Sequence, residues 1–326
     1  MSIGGSIPYH LRQNKAIDRN LFTDLLSRIG RYKNISDYTY YGFGGPYMED
    51  FKHLHGALRL QDMVSIERER EVVKRQRFNQ PLACVRILEG ASGDFIARFD
   101  PETPSVVWLD YTEPKDIGIQ LVELQQLVSK LNPYDVVKIT LNAAASALGE
   151  PKEADKDLKE YRLEVARERI GGFLPAHAGN DDVTGKNYPG LLLQAIHLAE
   201  HKGMEGRRAW MLQPLSAFTY ADGQPMVTAT AIVLPKSDID AFFSHTRLKH
   251  WPYVSVDWSA PRSISVPDLS LRERLKVEAM LPSASSKDIL DALGYRIAAT
   301  PAESEELMEN FVRYYRMYPL YSRVIV

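Results

Sequence analysis

The chain has 326 residues, of which 44% are apolar and 25% charged, with a formal net charge of −2; this balance excludes a disordered or fibrous protein and gives no global attraction to nucleic acid or to an acidic membrane surface. One cysteine, Cys84, in an apolar run excludes an internal disulfide and a thiolate metal cluster. No run approaches the roughly 18 uninterrupted apolar residues of a membrane helix, and no basic segment followed by an apolar run opens the sequence, so a cytoplasmic chain with no membrane partner is expected.

Residues 15–30 place Ile17, Leu21, Phe22, Leu25, Leu26 and Ile29 at helical spacing before Gly30, predicting an amphipathic helix inside an N-terminal lead, 1–35. Thr39 to Phe43 reads as a short strand that enters a glycine cluster, and helical spacing returns after Pro46. Further strands are predicted at Asp62 to Ile66, Ala83 to Leu88, Val106 to Leu109 and Val136 to Leu141, with helices at Glu67 to Phe78 and Ile117 to Leu131. Such alternation implies a parallel sheet covered on both faces. Residues 144–206 read as a helical insertion near the active face, with a loop-like centre. Ala209 to Tyr220 and Met226 to Leu234 flank Asp222-Gly223, an antiparallel hairpin signal. The expected fold is therefore α/β, a Rossmann-like, mostly parallel seven-stranded sheet with a terminal antiparallel hairpin, spanning 36–235. After Pro235, helix starts at Ser270, Ser285 and Thr300, each with an acid three residues on, predict a small helical C-terminal subdomain, 236–326.

The run Gly42-Phe43-Gly44-Gly45-Pro46 sits where the first strand turns into a helix. Glycines there let the backbone bend sharply and approach a ligand, beside amides at a helix start that favour electronegative atoms. Glu67 ends the second strand, 23 residues after Gly44, the spacing at which an acid hydrogen-bonds the ribose of an adenosine cofactor.

From these residues, positions 36 to 234 resemble the class I S-adenosylmethionine-dependent methyltransferase superfamily. The resemblance implies that Gly42, Phe43, Gly44 and Gly45 hold the methionine part of S-adenosyl-L-methionine and that Glu67 holds its ribose. It also implies that the segment Glu89-Gly90-Ala91-Ser92, through Ala91 and Ser92, frames adenine, and that Asp110 and Tyr111 stand beside the methyl group. In-line methyl transfer needs alignment and exclusion of water. Asp110 is the expected hydrogen-bond acceptor or general base, with Tyr111 stacking on or orienting the substrate. Tyr9, Arg12 and Lys15 form a polar stretch that is expected to close over the cofactor mouth.

Two other readings stand beside this one: a non-catalytic binding or scaffold protein that keeps the methyltransferase fold, and a zinc hydrolase. The second rests on His197-Leu198-Ala199-Glu200-His201, in which His197 and His201 would bind zinc and Glu200 would activate water; its bland counterpart is a core-facing helix, with no metal. Arg68, Arg70, Lys74, Arg75 and Arg77, and the aromatic stretch Phe311 to Tyr321, are the places where a nucleic-acid or protein partner would bind, although a solvated helix and core packing also account for them.

Overall fold

In the computed structural model, residues 12–152 and 155–319 are described; Tyr9 and Tyr321 lie outside them. The first helix, α1 (Gln13–Ile29), follows the predicted stripe, with Ile17, Leu21, Leu25, Leu26 and Ile29 buried. Its other buried residues include Lys15, Asp18 and Arg19, which are charged and require partners.

Five parallel strands follow: β1 (Thr39–Gly42), β2 (Asp62–Glu67), β3 (Val85–Glu89), β4 (Ser105–Asp110) and β5 (Val136–Asn142). They are joined by α2 (Glu49–Leu58), α3 (Arg70–Asn79), α4 (Ser92–Arg98) and α5 (Ile117–Lys130). The stretch after β5 holds α6 (Leu158–Ile170) and α7 (Tyr188–Gly203). α7 lies so close to α5 that a Cβ on Gly203 would stand 2.7 Å from the Gln125 carbonyl oxygen, so this segment supplies part of the sheet's own cover. The hairpin is β6 (Trp210–Asp222) and β7 (Gln224–Pro235), turning on Gly223 at φ 107°, a conformation open to glycine.

The sheet order is β3-β2-β1-β4-β5-β7-β6-β8, with β7 antiparallel to both β5 and β6. The sheet has eight strands where seven were expected. The added strand, β8 (Arg262–Ile264), pairs with Phe218–Tyr220, and three residues are too few for alternation to reveal it. The two-turn helix α4 and α8 (Ile239–Thr246) are likewise unannounced in the sequence pattern. By contrast α9 (Leu271–Glu278), α10 (Ser286–Leu293) and α11 (Pro301–Tyr314) each begin at a predicted capping box, Ser270/Glu273, Ser285/Asp288 and Thr300/Glu303.

Apolar residues gather on both faces of the sheet. One cluster joins α1, α2 and the C-terminal helices to Tyr40, Trp108, Phe218 and Ile232; the other joins α4, α5, α6 and α7 to Val107, Leu109, Ile139 and Val227. The N-terminal helix and the C-terminal helices therefore pack on the same side of the sheet.

Candidate functional site

Because β1, β2 and β4 are parallel neighbours, their carboxyl ends share one edge of the sheet. Gly42 lies beside Ser65 and Trp108, two residues short of Glu67 and Asp110. The glycine bend thus leaves β1 between the two carboxylates, the placement from which an adenosine cofactor is bound in open α/β sheets.

The bend owes its glycines to the protein's own packing. A Cβ on Gly44 would stand 2.6 Å from the Ser65 Oγ and 2.9 Å from Phe51, and one on Gly42 would run into the Tyr40 hydroxyl. Gly45 takes φ 51°, in the left-handed region. The Gly44 amide donates to the Ser65 Oγ (3.3 Å). Ser65 donates to the Gln76 Oε1 (3.1 Å), and the Gln76 Nε2 donates to the Gly45 carbonyl oxygen (2.9 Å). The Asn79 Nδ2 donates to the Pro46 carbonyl oxygen (2.8 Å). Sequence reasoning missed Ser65, Gln76 and Asn79, which are uncharged and match no motif.

Glu67 is half-buried at the end of β2, and one carboxylate oxygen accepts the Glu69 amide (2.8 Å). Burial pushes its carboxyl above the usual range, and the Glu69 and Arg68 amides only partly oppose this. Next along the edge, Ala91 precedes α4 and Ser92 opens it.

Asp110 and Tyr111 diverge, as successive strand residues must. Tyr111 faces α5: its hydroxyl donates to Glu123 and also meets Ser92, while its ring packs edge-on against Phe43, centroids 5.4 Å apart. Burial first, and then the Glu123 carboxylate, push its phenol well above the usual value. Phe43, Ser92 and Tyr111 are thereby brought together.

Asp110 faces the opposite side, towards α1. Its Oδ2 lies 3.4 Å from the Lys15 Nζ, and its buried Oδ1 has no hydrogen-bond partner among the described residues. Two further ion pairs fasten α1 to the sheet and to α2. Asp18 receives the Lys138 Nζ from β5 at 2.8 Å and 2.9 Å, and Arg19 donates to both oxygens of Asp50. Lys138 also lies over the rings of Phe22 and Trp108, 4.8 Å and 4.6 Å from their centroids. Burial pulls the Lys138 ammonium below its usual value, and Asp18 opposes this. Burial raises the Asp50 carboxyl, but Arg19 more than offsets it. At the start of α1 the Asp222 carboxylate accepts the Asn14 and Lys15 amides (3.3 Å and 2.7 Å). Asp222, read from sequence only as a hairpin residue, therefore also caps α1. Arg12 immediately precedes this turn.

A family model described as "Putative O-methyltransferase" matches residues 7–326. The chain belongs to this family. It is a class I S-adenosylmethionine-dependent methyltransferase by family and fold, and S-adenosyl-L-methionine is its cofactor. No curated protein matches it in sequence. Among solved structures it is similar to the N-methyltransferase NodS from Bradyrhizobium japonicum WM9, at 10% identity over 67% of this chain and 97% of that one, with a TM-score of 0.38. It is also similar to the O-methyltransferase TomG from Streptomyces achromogenes, at 16% identity over 65% and 79%, with a TM-score of 0.36. For Trm1 from Pyrococcus horikoshii, solved with S-adenosyl-L-methionine, the values are 10% identity over 68% and 55%, with a TM-score of 0.43. The family match carries the assignment.

Elsewhere in this methyltransferase, His197 and His201 lie on the exposed side of α7 while Glu200 is buried. The carboxylate that a zinc hydrolase would use is thus turned away from the imidazoles, and among the described residues no group of three or more His, Cys, Asp or Glu could hold a metal. On and around α3, Arg68, Lys74 and Arg77 pair with Glu69, Glu71 and Glu89, which compensates much of the local positive charge. No helix among the described residues is long and apolar enough to cross a membrane.

Proposed function

We propose that this chain catalyses methyl transfer from S-adenosyl-L-methionine to a hydroxyl group, with Asp110 as the group that accepts the hydroxyl proton. The observation that carries this reading is the Asp110 carboxylate at the end of β4, next to the glycine bend, with one buried oxygen that no described residue satisfies. A buried acceptor atom of this kind is costly unless a donor reaches it, and an acceptor hydroxyl is such a donor.

The bound cofactor supplies an electrophilic methyl group on a sulfonium. Gly42, Phe43, Gly44 and Gly45 would hold its methionine part, Glu67 the ribose hydroxyls, and Ala91 and Ser92 the adenine side. The residues fit that group: a half-buried carboxylate and a glycine bend lie on adjacent strands at one edge, and a Cβ on Gly90 would meet nothing within 4 Å. Lys15, 3.4 Å from Asp110, places a cation where negative charge develops on the acceptor oxygen as its proton leaves. Tyr111, held by Glu123, shapes the wall on the α5 side.

Incubation with methyl-labelled S-adenosyl-L-methionine and a panel of hydroxylated small molecules tests this. Label should appear on oxygen with the wild type and fall by roughly a hundredfold or more with Asp110→Asn. A wild-type chain that binds no cofactor in a calorimetric titration contradicts the reading. The closure of Asp110 beneath Lys15 favours one alternative, a binding protein that retains the fold; it predicts cofactor binding without turnover on any acceptor.

A further inference from the structure

We infer that Gln76, acting with Ser65 and Asn79, is a positioning residue for the cofactor: it touches no ligand but holds residues 44–46 in the shape that receives S-adenosyl-L-methionine. This rests on the cofactor site proposed above.

Gln76 is 0% exposed although it is a polar residue on a short helix, and Ser65 is also 0% exposed. Both find their partners in each other and in the glycine bend. The Gly44 amide, the Ser65 hydroxyl, the Gln76 side-chain amide and the Gly45 carbonyl form one closed chain of hydrogen bonds of 3.3, 3.1 and 2.9 Å. One turn further along α3, Asn79 takes the Pro46 carbonyl at 2.8 Å, and beside them Arg75 stacks on Tyr47, 4.9 Å from the ring centroid, with a 3.3 Å bond to its hydroxyl. Residues 44–47 are therefore each tied to α3 or β2 by a side chain.

Removing Gln76 takes the acceptor from the buried Ser65 hydroxyl and the donor from the Gly45 carbonyl, and it frees Gly45, which without a Cβ is not confined to its left-handed φ. The loop then samples other conformations, and cofactor affinity falls in proportion to the fraction that stays competent. With the two bonds of Gln76 gone, a competent fraction of roughly one tenth is the expectation.

Calorimetric titration of the full chain with S-adenosylhomocysteine tests this against Val73→Ala, a control at a fully buried α3 position without a polar side chain. Gln76→Ala should raise the dissociation constant about tenfold. Val73→Ala should lower the thermal midpoint but leave the constant within about twofold. Asn79→Ala, at a half-buried helix end, should raise the constant about threefold and serves if Gln76→Ala does not fold. Equal constants for wild type, Gln76→Ala and Asn79→Ala, or an equal rise in Val73→Ala, would overturn the inference while leaving the cofactor site intact. Absence of binding by the wild type would remove the site itself, and with it this inference.

Discussion

At the β1–β2 half of the sheet, the loop is held by neutral hydrogen bonds from Ser65, Gln76 and Asn79, whereas at the β4–β5 half α1 is fastened by buried charges, Lys15 to Asp110 and Asp18 to Lys138. Neutral networks give shape at little electrostatic cost, so the half proposed to hold the cofactor is pre-organised. Buried ion pairs recover their desolvation only when both partners are present, so the half proposed to receive the acceptor depends on α1 staying seated. A lead helix outside the sheet thereby becomes part of the proposed site.

The largest effect should come from the charged half. Asp18→Ala should cost about 3–5 kcal/mol in denaturant unfolding, because Lys138 is left buried and unpaired; Asp18→Leu combined with Lys138→Met should recover most of it. A single-variant loss below about 1 kcal/mol would erase the contrast between the halves.

In the neutral half, Gly44→Ala drives a methyl group into Ser65 and should cost about 1–3 kcal/mol. Adding Ser65→Ala should relieve part of that cost, since the 2.6 Å contact disappears while the one to Phe51 remains. Strict additivity in a double-mutant cycle would show that the two positions do not touch.

Glu67 sharpens the comparison through pH. Ribose hydroxyls donate to the carboxylate form, and burial raises the carboxyl's affinity for a proton in the free protein. Wild-type affinity for S-adenosylhomocysteine should therefore be full above this raised pKa and fall as pH drops through it. Glu67→Gln should bind roughly tenfold more weakly above it and show no such slope. A flat wild-type profile would place the ribose elsewhere.

The smallest effect lies away from both halves. Glu200 is buried on α7 and desolvation raises its pKa well above the usual value. A carboxyl whose folded pKa is raised contributes stability below its unfolded pKa and loses it as pH rises towards the folded value. Glu200→Gln should therefore unfold at a higher temperature than wild type at neutral and alkaline pH, and the gap should narrow as pH falls from the raised folded pKa to the ordinary carboxylate range. A destabilised variant at alkaline pH would mean that the carboxylate has a partner.

What was legible in the sequence was what repeats or sits at a fixed offset. The strand-helix alternation gave the parallel order, the three capping boxes gave the starts of α9, α10 and α11, and the offset from Gly44 to Glu67 put both on one edge. The pairing of Asp18 with Lys138 joins residues 120 positions apart, and no local pattern foretells it. A lysine between Val137 and Ile139 in a β-prone strand was its one visible sign, since a charge buried there needs a partner. Gln76 and Ser65 left no sign, because a neutral polar residue on a helix or strand reads as surface until the fold encloses it. The adjacency of Asp110 and Tyr111 suggested a joint role, yet strand pleating sends them to opposite faces.

The most direct test is a crystal structure of the chain with S-adenosylhomocysteine. This account expects the ribose hydroxyls on the Glu67 carboxylate and the sulfur between the Gly42–Gly45 bend and Asp110. A nucleoside bound away from that edge, with Glu67 facing solvent alone, would contradict it.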